Sequence, residues 1–265
     1  MTDETTFGDQ LEAGLTDEQL IANIRTWRHI WFLQRFMLHS TQTFLHEVLR
    51  RDAPTPVTAD PNSTLIQLLS VVCAIQRTSH GRAQLYEQLE YVLKDEQLVR
   101  LVRNTRQWLD AEAVGQDPLV TVTTALHARC LSHDQAKMTS PQVEAFTAVA
   151  AELDRTTYGS PEYKQNLARL KPALDHHYGT SRHHPESFED GVAGMSLVDA
   201  MEMFCDWMAS TLRTKGGHIL HSLEVQKRRF NMSSALVRTL RRTFEQVFAE
   251  EYRRDPAEFL VQLTH

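Results

Sequence analysis

The chain has 265 residues, 42% hydrophobic and 23% charged, a composition ordinary for a globular protein. Its net charge of −6 argues against general nucleic-acid binding, which needs a basic face. The three cysteines, Cys73, Cys130 and Cys205, form no CxxC pair, which favours buried thiols in a reducing cytoplasm over a disulfide framework.

Helix signals recur along the chain, whereas strand signals are nearly absent. The acidic N-terminus lacks the apolar core of a signal peptide, so a cytoplasmic location is predicted. Thr16–Gln19 has the pattern of a capping box and predicts a long helix to about Arg50, with apolar residues at helical spacing. The apolar run 65–75 is too short to span a bilayer. Further helices are predicted at about 64–79, 82–94, 96–112 and 117–132.

Ser-Pro pairs begin the next two predicted helices, at Ser140-Pro141 and Ser160-Pro161. Ser196 is the expected N-cap of a later helix, and Thr180 to Gly194 is expected to be a loop. The predicted fold class is all-α. A composition shift near 114–118 predicts an N-terminal helical region of unknown role (1–115) and a metal-binding helical domain (116–265). The last helices are predicted at 196–214, 218–230 and 233–252, with a short one capped by Asp255-Pro256.

Histidine and carboxylate side chains, which bind divalent metals, are concentrated between 133 and 206. His133-Asp134 comes near a helix end, with Lys137 one turn after His133. Paired histidines in a polar loop, as at His183-His184, are typical of dinuclear metal sites. Three carboxylates at i, i+3 and i+7 share one face of the 196–214 helix: Asp199, Glu202 and Asp206. Four isolated histidines are interpreted as structural: His29, His39, His46 and His80.

The order His-Asp, later His, later His-His-x-Glu, later Asp resembles the HD-domain superfamily, which consists of helical metal-dependent phosphohydrolases. Residues 117–230 look especially like an uncharacterised family common in phages and bacteria. The motifs that carry the likeness are HD-x-x-K, H-x5-HHPE, G-x-x-x-M-x-L-x-D and E-M-x-x-D-W. The resemblance implies an HD-domain-like helical bundle.

The same resemblance implies a role for each motif residue. His133, Asp134 and Asp206 would bind a first metal, and Lys137 would face a phosphate. A second metal, as in the HD-GYP branch, would be bound by three histidines: His177, His183 and His184. HHPESFEDG looks like that branch's histidine-pair loop, although no Gly-Tyr-Pro follows, and Ser181 stands where relatives tend to have Asn.

The chain departs from the HD pattern at the first histidine, which usually precedes the His-Asp pair by twenty or more residues. No histidine stands there, and His127 is only six residues upstream of His133. Either Asp110 or Glu112 substitutes as an oxygen ligand, or the site is incomplete.

The leading hypothesis is a phosphohydrolase that acts on a nucleotide or another small phosphate ester, with one or two ions of manganese, iron, magnesium or cobalt. Lys137 and Arg182 would stabilise phosphoryl charge, while Glu186 or Glu202 would orient water. The alternatives are an HD-type di-iron oxygenase and a non-catalytic interaction or sensing module that forms oligomers through its N-terminal helices. A basic stretch, Lys227–Arg229, is interpreted mainly as a solvated helix face.

Overall fold

The structure is a computed structural model that describes residues 16–50, 62–139, 142–156, 160–212 and 217–254. Every regular element in these ranges is helical, which confirms the predicted all-α class. None of the helices in these ranges is long and apolar enough to cross a membrane. The α-helices are α1 (Asp17–Arg50), α2 (Leu65–Gln76), α3 (Arg82–Leu93), α4 (Glu96–Glu112), α5 (Pro118–Ser132), α6 (Gln142–Arg155), α7 (Pro161–Thr180), α8 (Leu197–Thr211), α9 (Ile219–Arg229), α10 (Ser234–Thr243) and α11 (Ala249–Arg253).

Local capping determines where the principal helices begin. At α1, the backbone N–H of Gln19 donates to Thr16 Oγ1 (3.3 Å) and the N–H of Thr16 donates to Gln19 Oε1 (3.0 Å), which confirms the predicted capping box. Ser196 caps α8 in the same way, with Asp199 as its partner. Two short 3₁₀ turns, Pro185–Ser187 and Gly191–Gly194, lie in the predicted loop before α8. The predicted helix starts at Ser140-Pro141 and Asp255-Pro256 lie outside the described residues.

Helix α8 is the centre of the fold. Its residues from Leu197 to Ala209 are all buried, because α1, α2, α4, α5 and α9 pack around it. The carboxylates of Asp199, Glu202 and Asp206 are therefore also inside the protein. Since a buried carboxylate is costly unless it is paired, these three side chains must have cationic or hydrogen-bonding partners.

One hydrophobic cluster runs across the predicted boundary at residue 115. Phe36 of α1 and Leu69 of α2 belong to the same cluster as Leu126 of α5 and Phe204 of α8. Helix α1 also packs against α5, α6 and α8. The division into two regions stays a prediction, but the described helices on either side of it share a core.

An ion pair between Arg35 and Glu251 is buried where α1 meets α11. The two residues are 3% and 5% exposed, and Arg35 Nε lies 2.8 Å from Glu251 Oε1. Burial lowers the pKa of Arg35, and the Glu251 carboxylate partly offsets this effect. Breaking such a pair leaves an uncompensated buried charge, which costs more than removing both groups.

We expect Glu251→Leu to lower the free energy of unfolding by about 3 kcal/mol, because it leaves the Arg35 guanidinium buried without its carboxylate. The double variant Arg35→Met/Glu251→Leu should lose less, since no unpaired charge remains. Urea unfolding of the wild type, both single variants and the double variant measures the coupling. Strictly additive losses would show that the two side chains do not depend on each other.

Candidate metal centre

The His133-Asp134 pair lies where α5 ends, not within a helix. His133 is the C-cap of α5, and Asp134 has a left-handed backbone conformation (φ 55°) before a 3₁₀ turn at Gln135–Met138. Aspartate is one of the few side chains that adopt this conformation readily. The turn directs both side chains inward, where His133 and Asp134 are 2% and 3% exposed.

Four buried residues form a first cluster of metal-ligand type, which we call cluster 1. His29 Nε2 lies 2.9 Å from Asp206 Oδ1 and 3.5 Å from Asp134 Oδ2. His133 Nε2 lies 3.5 Å from Asp134 Oδ2 and 3.7 Å from Asp206 Oδ1. Each residue offers one ligand atom, and these four atoms lie within 4.8 Å of one another. Cluster 1 therefore joins α1, the end of α5 and α8.

Three histidines form an adjoining cluster 2: His177, His183 and His184. The C-terminal part of α7 carries His177, and the following turn places His184 Nε2 3.0 Å from His177 Nε2. Asp134 Oδ1 lies 3.1 Å from His177 Nε2 and 3.6 Å from His183 Nε2. Asp134 thus presents one oxygen to each cluster and links the two.

The donor atoms have the arrangement expected around a cation. Two ligand atoms that each lie about 2.1 Å from one metal are about 3.0–3.5 Å apart, and the histidine-to-carboxylate distances are close to this range. Two of the buried ligand atoms have no hydrogen-bond partner among the described residues, although buried polar atoms normally have one. They are His133 Nε2 and His183 Nε2. The residues of both clusters therefore fit divalent metal ions.

The electrostatics favour ionised carboxylates beside two neutral histidines of cluster 2, His177 and His184, because burial lowers the pKa of both rings. Burial opposes the charge on Asp134 and Asp206, but neighbouring cationic and N–H groups hold the pKa of both well below the usual range. Burial and the neighbouring His183 lower the pKa of His184 to about 2. His133 and His183 differ, because neighbouring carboxylates overcome the effect of burial. The pKa of His183 is raised, and the pKa of His133 is raised to about 10. A metal at His133 would replace that proton.

Two further side chains that were predicted to take part in catalysis, Lys137 and Glu202, contact residues of the clusters. Lys137 Nζ donates to Asp134 Oδ2 at 2.6 Å, so its ammonium group is beside cluster 1. Glu202 is buried, and its Oε1 accepts from His133 Nδ1 at 2.9 Å and lies 3.2 Å from His183 Nδ1. Glu202 thus contacts one histidine of each cluster.

Two other side chains that were predicted to take part in catalysis, Arg182 and Glu186, have partners outside the two clusters. Arg182 donates through its Nε and a terminal nitrogen to the two oxygens of Asp199, at 3.0 and 2.9 Å. Glu186 accepts from Arg229 at 2.7 Å, near the surface. The expectation that Arg182 faces a phosphate and that Glu186 orients water therefore has no support in the geometry, because both side chains already have charged partners.

Cluster 1 contains one residue that was not predicted from the sequence as a metal ligand. Asp110 accepts from Gln76 at 2.8 Å, while Glu112 and His127 are exposed, so none of these three belongs to either cluster. The residue is His29 of α1, which was interpreted from the sequence as a structural histidine. One signal was available, since His29 precedes the buried Leu33 and Phe36 by one and two helical turns and therefore lies on the buried face of α1.

Comparison with known proteins identifies a family but no activity. Residues 85–252, well over half of the chain, match the family of unknown function DUF5662. The chain belongs to this family. No curated protein and no solved structure matches it. In this DUF5662 member, the matched range contains all of cluster 2 and three of the four residues of cluster 1, while His29 precedes it.

Proposed function

We propose that this DUF5662 protein is an HD-type metal-dependent phosphohydrolase that acts on a nucleotide or another small phosphate ester. The observation that carries the proposal is the pair of adjoining clusters joined by Asp134, with one of its oxygens facing each. Two metal ions held side by side are a recurring arrangement in enzymes that hydrolyse phosphate esters. The likeness to the HD superfamily supports the same reading.

The chemistry of the ligand atoms restricts which metal ions the site can bind. All seven residues offer imidazole nitrogen or carboxylate oxygen, and the three cysteines are outside both clusters. Five of the seven are histidines, which suits iron, cobalt or manganese better than magnesium, an ion that prefers oxygen ligands. A cysteine-rich structural zinc site does not fit the two clusters. Bound divalent ions would act as Lewis acids and lower the pKa of a water ligand.

The charge balance favours an anionic substrate. The clusters and their immediate partners contain four carboxylates and three basic side chains, which leaves one net negative charge when the histidines are neutral. With two divalent ions, the site would carry three net positive charges, which suits a phosphate group. The carboxylates are Asp134, Asp199, Glu202 and Asp206, and the basic side chains are Arg129, Lys137 and Arg182.

His29 also bears on the alternative of a non-catalytic module. That alternative depended on an incomplete first metal site, whereas cluster 1 has four buried ligand-type residues. The same donors would serve a di-iron oxygenase, so the test must distinguish the two reactions.

The test combines metal analysis with two activity assays. We expect the purified protein to bind up to two equivalents of Mn²⁺ and to release phosphate from nucleotides or p-nitrophenyl phosphate, and EDTA should remove both properties. His177→Ala should impair both, whereas His176→Ala should not, because His176 is the exposed neighbour of a buried ligand. Oxygen consumption by the iron-loaded protein without phosphate release would instead indicate an oxygenase. Metal binding with neither activity would contradict both enzyme assignments.

A further inference from the structure

One carboxylate oxygen on α8 lies between a histidine of each cluster. Glu202 Oε1 lies 2.9 Å from His133 Nδ1 and 3.2 Å from His183 Nδ1. The opposite nitrogen, Nε2, of each ring lies 3.5 or 3.6 Å from an oxygen of Asp134. Both imidazoles therefore point the same way, with Nδ1 toward Glu202 and Nε2 toward the bridging aspartate.

Arg129 fixes the orientation of Glu202. One terminal nitrogen of Arg129 lies 3.1 Å from Glu202 Oε2 and the other lies 2.6 Å from Asp199 Oδ1. Because the guanidinium is planar and holds both carboxylates at once, Glu202 Oε2 is kept on the arginine side. Only Oε1 is left to face the histidines.

Asp199 in turn anchors Arg129. This carboxylate is fully buried, and it accepts from the backbone N–H of Ser196 (2.8 Å), from the Ser196 hydroxyl (2.7 Å) and from both donors of Arg182. Arg182 directly precedes His183 and stacks over Phe188 at 4.9 Å. The network thereby ties the histidine loop to the N-terminal end of α8.

We propose that Glu202 is a positioning residue for both metal clusters, which holds His133 and His183 in the tautomer that carries hydrogen on Nδ1 and leaves Nε2 free to bind metal. A neutral imidazole has one N–H and one free nitrogen, and the hydrogen bond to one nitrogen determines which nitrogen can bind a metal. Through Oε1 alone, Glu202 determines the tautomer of one ligand in each cluster. The inference rests on the proposed metal centre, and it replaces the expectation that Glu202 orients water.

An alternative role for Glu202 is that it binds a metal itself, because His133, His183 and Glu202 are close enough together to hold one. The hydrogen bonding of the two rings argues against this. Their Nδ1 atoms already face Glu202 Oε1 at 2.9 and 3.2 Å, whereas their buried Nε2 atoms have no hydrogen-bond partner among the described residues. A metal bound through the Nδ1 atoms would leave these Nε2 atoms unused beside the Asp134 carboxylate.

Glu202→Gln tests the inference with little change of shape. If the amide oxygen faces the histidines, the amide NH₂ meets the Arg129 donor, and if the amide turns over, NH₂ meets both Nδ1–H groups. We expect Mn²⁺ affinity to fall about 10- to 100-fold at both sites, the range typical for loss of a group that orients metal ligands. Titration of free Mn²⁺ followed by electron paramagnetic resonance measures binding without any assay of activity.

Glu251→Gln is the matched control. Glu251 is another buried carboxylate paired with an arginine, Arg35, and it belongs to neither metal cluster. Both substitutions weaken a buried ion pair, but only Glu202→Gln should weaken Mn²⁺ binding. Equal Mn²⁺ affinity in Glu202→Gln and wild type would overturn the inference. A wild type that binds no divalent metal would instead refute the proposed function.

A measurement on the wild type keeps the inference testable if Glu202→Gln does not fold. In protein labelled with ¹⁵N-histidine and loaded with Zn²⁺, long-range ¹H–¹⁵N spectra report the tautomer of each imidazole. We expect His133 and His183 to carry hydrogen on Nδ1 and to bind the metal through Nε2. Metal bound through Nδ1 of either residue would refute the positioning role.

Discussion

Asp134→Asn is expected to cause the largest loss of function among single substitutions, because it removes one charged ligand from both clusters. Asp134 Oδ2 faces His29 and His133, and Oδ1 faces His177 and His183. Asparagine has nearly the same size and is also tolerated at the left-handed backbone conformation of this position. The substitution therefore changes charge and leaves the local fold in place.

We expect Mn²⁺ affinity to fall by more than about 100-fold, since loss of a direct ligand exceeds the loss of an orienting group. Phosphate release should fall about 10³-fold or more, because the metal contributes several kcal/mol of transition-state stabilisation and each 1.4 kcal/mol is tenfold. Thermal unfolding offers a second measurement. Mn²⁺ at 100 times the wild-type dissociation constant should stabilise the wild type by about 2.7 kcal/mol per bound ion, and the variant by about 0.4 kcal/mol per ion or less.

Asp175→Asn is the control for this substitution. Asp175 pairs with Lys171 as Asp134 pairs with Lys137, but it is exposed on α7 and belongs to neither cluster. Its Mn²⁺ affinity and phosphate release should match those of the wild type. Near-normal metal binding by Asp134→Asn would mean that the two clusters do not share a bridging ligand.

The features that could be predicted from the sequence are those that depend on local interactions. The capping patterns at Thr16 and Ser196 placed the starts of α1 and α8 correctly, because a cap involves residues only three positions apart. The resemblance to the HD superfamily implied six metal residues between His133 and Asp206, and all six lie in the two clusters. One turn holds His133 beside Asp134 and one loop holds the three histidines of cluster 2, but helix packing brings Asp206 to the first pair.

What the sequence did not predict depends on tertiary packing. Arg182 and Glu186 stand beside the histidine pair in sequence, but Asp199 on α8 and Arg229 on α9 determine where their side chains point. The spacing of Glu202 correctly placed it on the face of α8 that carries Asp206. Its burial between two histidines depends on the helices that surround α8, which no local pattern reveals.

His29→Ala is expected to remove the metal of cluster 1 and to slow phosphate release strongly, although His29 is more than one hundred residues before His133. The side chain is buried, and its Nε2 lies within hydrogen-bonding distance of Asp206. Mn²⁺ stoichiometry should fall by one equivalent, since the three histidines of cluster 2 remain. Hydrolysis should fall about 10³-fold, the consequence of losing several kcal/mol of stabilisation by one metal.

His46→Ala is the matched control, because His46 lies on the same helix but is exposed. It should bind Mn²⁺ and release phosphate as the wild type does. If His29→Ala retained full stoichiometry and turnover, His29 would be a buried structural histidine and cluster 1 would have to function with three ligands. If His29→Ala behaves as expected, α1 is part of the active centre. The N-terminal region would then supply a ligand, and residues 116–265 alone would lack a complete first metal site.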